Sequence, residues 1–233
     1  MSETVTLTIN GRSVTVPAQT TILEAARQLG IEIPVICYHP HLTANGLCRI
    51  CSVEAGGRTQ AAACVTACAE GMTVQTNTEA VRHGRRTILE MLAATVNLAE
   101  APEILALIAE YGADVARFPD AVHRESPLHD DNPFYLRDYN QCINCWRCVQ
   151  VCATDAQFAF ALNFDNRGYF TTIGTFMGDG MMDTTCVFCG QCVGACPTGA
   201  LKPKRQALLE QGVDPDEIFY QTRQKRKRKE RSD

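Results

Sequence analysis

The sequence predicts an α+β protein of small modules, each organised around its own set of cysteines. Three observations predict it. Twelve of the thirteen cysteines fall into three groups of four. Residues 4–30 read as strand, tight turn, strand and helix, and short alternating runs follow to residue 76. Residues 77–115 then recur at three- and four-residue steps, the helical period. At 233 residues the chain has room for two or three such modules. The expected division is 1–77, 78–134, 135–205 and a C-terminal segment 206–233.

In order along the chain, residues 4–10 alternate as a strand, Asn10-Gly11 is a tight-turn dipeptide, and residues 13–16 alternate again. Thr20 or Thr21 then caps a helix through Leu29, with Ile22, Leu23, Ala26 and Leu29 on one face and Gly30 as its stop. Further short strands are expected at 49–54, 59–65 and 73–76. Across this pattern lie Cys37, Cys48, Cys51 and Cys64, spaced C-x10-C-x2-C-x12-C. That is looser than the plant-type spacing. The strand–strand–helix–loop context nevertheless matches a β-grasp ferredoxin, in which these four thiolates would hold a [2Fe–2S] cluster. The bland alternative is that Cys is simply a small buried hydrophobe; for Cys68, the spare thirteenth cysteine, it is the preferred reading. His39 and His41 flank Cys37 and raise the two-imidazole Rieske arrangement. With four cysteines at hand and no second Cys-x-His pair, both histidines read as polar neighbours.

From about residue 77, Ala80, Val81, Ile88, Leu89, Leu92 and Val96 mark one helix, and Ile104, Leu105, Leu107 and Ile108 mark a second over 102–115. Residues 118–133, rich in Pro, His and Asp, read as a surface linker. His83, His123 and His129 stand alone and read as surface or capping residues. Together these segments form a helical linker region.

The last eight cysteines are the sharpest signal. Cys142, Cys145, Cys148 and Cys152 form one C-x2-C-x2-C-x3-C run, and Cys186, Cys189, Cys192 and Cys196 form another. This is the two-cluster ferredoxin pattern, in which each run gives three thiolates to one cluster and its fourth to the other. The expected sets are Cys142, Cys145, Cys148 and Cys196 for the first [4Fe–4S] centre, and Cys152, Cys186, Cys189 and Cys192 for the second. Structural zinc prefers two Cys pairs to a triplet with an outlying fourth. Disulfides fit poorly with an odd count and thiols two residues apart. Gly190, Gly194 and Ala195 allow close backbone approach. Pro197 completes the second run, where the first has Ala153. Between the runs, residues 153–185 are long for a ferredoxin. They should form a hairpin turning near 166–168 and offer a partner contact.

Composition bounds the rest. So many unpaired thiols imply a reducing compartment, and the start MSETVTLTINGRSV lacks the basic and apolar regions of a secretory signal. No apolar run approaches the roughly eighteen residues of a membrane span. A cytoplasmic protein is expected. Residues 223–233 hold seven Lys/Arg against two acids, so the rest of the chain is more acidic than the overall −4. That tail reads as a docking arm for an acidic surface or as a solvated terminus. Without interleaved aromatics it predicts no nucleic-acid binding. A metal-stabilised, non-redox scaffold using the tail on nucleic acid is the alternative of another class. No G-x-G-x-x-G opening a helix, P-loop or nucleophile set appears, so no catalytic residue is expected.

These residues resemble a family. ICYHPHLTANGLCRICSVE, ACVTACAEGMTVQT and YGADVARF are similar to the N-terminal part of the large iron–sulfur subunit of respiratory complex I, and equally to NAD-linked hydrogenases and NAD-dependent molybdenum or tungsten formate dehydrogenases. FALNFDNRGYF and MMDTTCVFCGQCVGACPTGAL are most similar to the formate dehydrogenase large subunit. The resemblance implies an electron-transfer subunit in a hetero-oligomer with a flavin/NAD-binding subunit and a molybdopterin, or alternatively nickel–iron, catalytic subunit. Two departures stand out. Residues 97–110 lack the His and cysteines of the family's His-plus-three-Cys cluster, so that centre should be absent. The large molybdopterin domain expected after PTGAL does not follow, so catalysis is expected on another polypeptide.

Overall fold

The computed structural model describes residues 3–57 and 59–220. The basic stretch 223–233 lies outside them. Two compact units divide the chain: residues Met1–Ala94 with Glu103–Ala121, and Thr95–Pro102 with Val122–Asp233.

In the first unit, strands β1 (Thr4–Ile9) and β2 (Arg12–Pro17) pair antiparallel. Asn10 and Gly11 turn between them at φ 49° and 79°, the two left-handed conformations that suit a two-residue hairpin. Helix α1 (Ile22–Gln28) starts at a capping box: the Thr21 side chain accepts from the Glu24 amide, and the Glu24 carboxylate accepts from the Thr21 amide. It buries Ile22, Leu23, Ala25 and Ala26. Strand β3 (Ser52–Val53) pairs antiparallel with β4 (Ala61–Ala62), and β5 (Thr73–Val74) joins β1 in parallel to give the order β2-β1-β5.

These last strands are shorter than the alternation suggested. Arg49 sits at φ 61°, which no strand accepts, so pairing begins at Ser52. Beyond Ala62 the chain turns, with the Val65 and Thr66 amides both donating to the Ala62 carbonyl. Leu7, Ile9, Val16, Leu23, Val53 and Val74 form the core, and Cys51, Cys64 and Cys68 pack within it.

Helix α2 (Glu79–Thr95) buries Val81, Arg85, Leu89, Glu90 and Ala94. Helix α3 (Pro102–Tyr111) stops four residues before the expected end because Gly112 takes φ 60° and the Ala113 amide closes on the Ile108 carbonyl. The YGADVARF segment folds back on α2. The Asp114 amide donates to Glu90 Oε1 at 3.2 Å, and Arg117 forms an ion pair with Glu90.

The second unit repeats a plan. Strand β6 (Tyr135–Arg137) leads into the first cysteine run and helix α4 (Arg147–Cys152). The second run contains α5 (Gln191–Ala195) and leads into strand β9 (Leu201–Pro203), which pairs antiparallel with β6. Between them β7 (Asn163–Asp165) and β8 (Thr172–Gly174) form the expected hairpin, though its connection runs through residues 166–171. Helix α6 (Lys204–Glu210) follows, and residues 215–220, the last described, are helical again. Residues 118–128 carry no regular element. His129 departs from the isolated surface role: it makes a β-bridge with Arg137, and its ring lies 5.4 Å from that of Tyr139. No helix among the described residues is long and apolar enough to cross a membrane.

Candidate metal centres

The N-terminal quartet comes together within the first unit. Gly46, at φ 64°, and Arg49 bend residues 46–51 into a tight loop. The Cys48 amide donates to Cys37 Sγ at 3.4 Å, and Cys51 Sγ lies 3.4 Å from Cys64 Sγ. The four thiols therefore meet as two pairs, Cys37 with Cys48 and Cys51 with Cys64. The hydrogen bond between Cys37 and Cys48 holds the Cys48 thiol down at about 6, and that between Cys51 and Cys64 holds Cys51 down at about 7. Their partners are pushed up by the same bonds and by burial. Backbone amides of Ile36, Cys37 and Ile50 also face the Cys48 sulfur. Such N–H donors favour thiolate and tune a bound cluster.

Cys68 stands apart from the quartet. It is buried in the apolar core, its amide donates to the Thr20 carbonyl, and burial pushes its thiol upward. The rings of His39 and His41 lie tilted to each other with centres 5.5 Å apart, and the His41 amide donates to His39 Nδ1.

The eight C-terminal cysteines sort into two pockets, each drawing on both runs. One small cavity, about 20 Å³, is lined by Cys142, Cys145, Cys148 and Cys196, together with Tyr139, Ile143, Trp146, Ile173 and Pro197. The other, also about 20 Å³, is lined by Cys152, Cys186, Cys189 and Cys192, with Tyr135, Leu162, Met181 and Val187. Both have almost wholly apolar walls, and burial pushes Cys145 and Cys192 each up to about 12. Four thiols converging on apolar walls are the protein side of a site completed by metal. Three cysteines from one run and the fourth from the other are the donors a cubane takes in a two-cluster ferredoxin.

The backbone repeats between the runs. Asn144 and Trp146 take φ 54° and 72°, and Phe188 and Gly190 take φ 54° and 75° at the same offsets. The Asn144 amide donates to Cys142 Sγ, and the Phe188 amide to Cys186 Sγ, both at 3.4 Å. This wrap turns amides inward toward sulfur and explains Gly190. Trp146 accepts a conformation costing about 1–2 kcal/mol. Its ring packs 4.4 Å from Phe164, and its Nε1 donates to Gln150 Oε1.

Several residues around the thiols went unnoticed in the sequence. Tyr135 Oη lies 3.1 Å from Cys186 Sγ, and Thr198 Oγ1 lies 3.6 Å from Cys196 Sγ while donating to the Gln141 carbonyl. Arg124 donates to the carbonyls of Thr171 and Cys142. Arg85 bonds the backbone on either side of Cys51. Only Arg85 left a trace, as a charge at a four-residue step between Val81 and Leu89 on the apolar face of α2.

A ferredoxin-type iron–sulfur protein is the class that these thiol sets and this fold define. Family profiles agree: residues 2–79 match a "2Fe-2S iron-sulfur cluster binding domain", and residues 141–200 a "4Fe-4S dicluster domain". An NADP-reducing hydrogenase subunit of Solidesulfovibrio fructosivorans is 34% identical over 91% of this chain and 39% of its own length. An NADH-quinone oxidoreductase subunit of Rhizobium meliloti is 36% identical over 84% of this chain and 23% of its own. A chain of an NAD+-reducing [NiFe]-hydrogenase crystal structure superposes with a TM-score of 0.77 at 30% identity, covering 86% of this chain and 87% of the other. The chain belongs to this family of iron–sulfur subunits, which includes the 75 and 78 kDa subunits of NADH-ubiquinone oxidoreductases and subunits of NAD-linked hydrogenases. It spans between about a quarter and two fifths of the length of these curated relatives.

Proposed function

We propose that this chain relays single electrons within a multi-subunit NAD-linked oxidoreductase. Cys37, Cys48, Cys51 and Cys64 would hold one [2Fe–2S] cluster. Cys142, Cys145, Cys148 and Cys196 would hold one [4Fe–4S] cluster, and Cys152, Cys186, Cys189 and Cys192 a second. Bound clusters would take up and release one electron each. The protein's part is to fix the thiolates, aim amides at sulfur and exclude water with apolar walls. The observation that carries this reading is the sorting of the eight C-terminal thiols into two pockets that each combine both runs.

The partners follow from the same reading. A flavin/NAD-binding subunit would exchange electron pairs with nicotinamide, and a further subunit would hold the catalytic metal. The FALNFDNRGYF and MMDTTCVFCGQCVGACPTGAL segments favour a formate-oxidising molybdopterin subunit. The likeness to the NAD+-reducing hydrogenase chain favours a nickel–iron one. The insertion offers a surface for such contact: Phe158, Phe160, Phe170, Phe176 and Met177 are all exposed. With so many free thiols, a reducing, cytoplasmic setting fits.

Anaerobic purification from the native host tests both levels. Material with about ten iron and ten sulfide per chain, giving paramagnetic signals after dithionite, is expected. Colourless, silent protein would sink the relay. Co-purifying subunits carrying a pterin or nickel then choose between the two catalytic partners.

A further inference from the structure

Four charged side chains in the described residues are buried: Arg85, Glu90, Arg137 and Lys204. Three of them have a counter-ion within their own unit: Glu90 has Arg117, Arg137 has Asp131, and Lys204 has Asp130. Arg85 is the exception. It is 2% exposed, and none of the ion pairs among the described residues includes it. Its partners are all neutral oxygens. Nε donates to the Ile50 carbonyl at 3.0 Å, Nη2 to the Ser52 carbonyl at 3.0 Å, and Nη1 to Tyr111 Oη at 2.9 Å.

A buried guanidinium stays charged, and an uncompensated buried charge is strongly unfavourable. Its hydrogen bonds bracket Cys51, one of the thiols assigned above to the [2Fe–2S] cluster. Four thiolates around a [2Fe–2S] core carry net negative charge in either oxidation state, and one unit more when reduced. We infer that Arg85 is the counter-ion of the [2Fe–2S] cluster and raises its reduction potential.

The effect has two routes. The cation acts through space on the added electron. It also polarises the Ile50–Cys51 peptide, whose carbonyl accepts from Nε while its N–H faces the Cys51 sulfur. Cluster reduction consumes one electron. Tyr111, from the start of YGADVARF, completes the fork and so ties that segment to the cluster.

This inference rests on the cluster assignment proposed above. The test is an EPR-monitored redox titration of the full chain as wild type, R85Q and R85K, with iron and sulfide measured first. The midpoint of the [2Fe–2S] signal should fall in R85Q at wild-type iron content, and move far less in R85K. A loaded R85Q with the wild-type midpoint overturns the inference. So does an R85K shifted as far as R85Q, which would assign the effect to the fork and not the charge. Should R85Q lose the [2Fe–2S] cluster, R85K decides. Loading at the wild-type midpoint supports the inference, and failure to load overturns it. Wild-type protein without iron and sulfide would instead overturn the relay itself.

Discussion

Cys152 and Cys196 carry the most specific consequence at the scale of single residues. Each ends a run yet lines the pocket of the other triplet. Cys152→Ser should therefore remove the cluster of Cys186, Cys189 and Cys192, leaving about six of ten iron per chain. Iron analysis with EPR of the reduced variant checks this; loss of the signal from the Cys142–Cys148 site would refute the pairing. Glycines give a second comparison. Gly190, at φ 75°, has open space where a Cβ would stand, so Gly190→Ala should cost about 1 kcal/mol of backbone strain alone. Gly46, at φ 64°, would place its Cβ 2.9 Å from Val65 Cγ2. Gly46→Ala adds that collision to a similar strain and should destabilise its unit more, read as a larger loss of melting temperature and of [2Fe–2S] content.

Elements show where sequence reading succeeds. The first hairpin and α1 were plain because their determinants are local: Asn10-Gly11 supplies both left-handed residues, and Thr21 with Glu24 supplies the capping box. Replacing that cap, Thr21→Ala, should cost about 1 kcal/mol and lower the melting temperature of a unit this size by about 4–8 °C. Cluster spectra should not change, since Thr21 touches no thiol of the quartet. The crossover of the two cysteine runs was expected from the C-x2-C-x2-C-x3-C spacing, whereas helices α4 and α5, which lie within the runs, were not read in the sequence. The short strands β3 and β4 were overextended because the tight Cys48–Cys51 loop overrides local alternation, with Arg49 left-handed. Arg85, Tyr135 and Arg124 lie far in sequence from the thiols they serve, and no local pattern announces such contacts.

At the scale of the whole molecule, each unit builds its interior around sulfur as much as around hydrocarbon. Cys51 and Cys64 sit within the apolar core of the first unit, and the two four-thiol pockets lie in the second. Stripping iron from the full chain with a chelator under reducing conditions should therefore abolish most far-UV circular dichroism and cooperative melting. Retained cooperative melting would show that the hydrocarbon core suffices. If each inorganic cage is gripped from both sides of the 163–174 hairpin, the cages act as rivets across the chain. A protease cut in that exposed hairpin should leave two fragments that travel as one body on a native gel. They should part only once the rivets are dissolved.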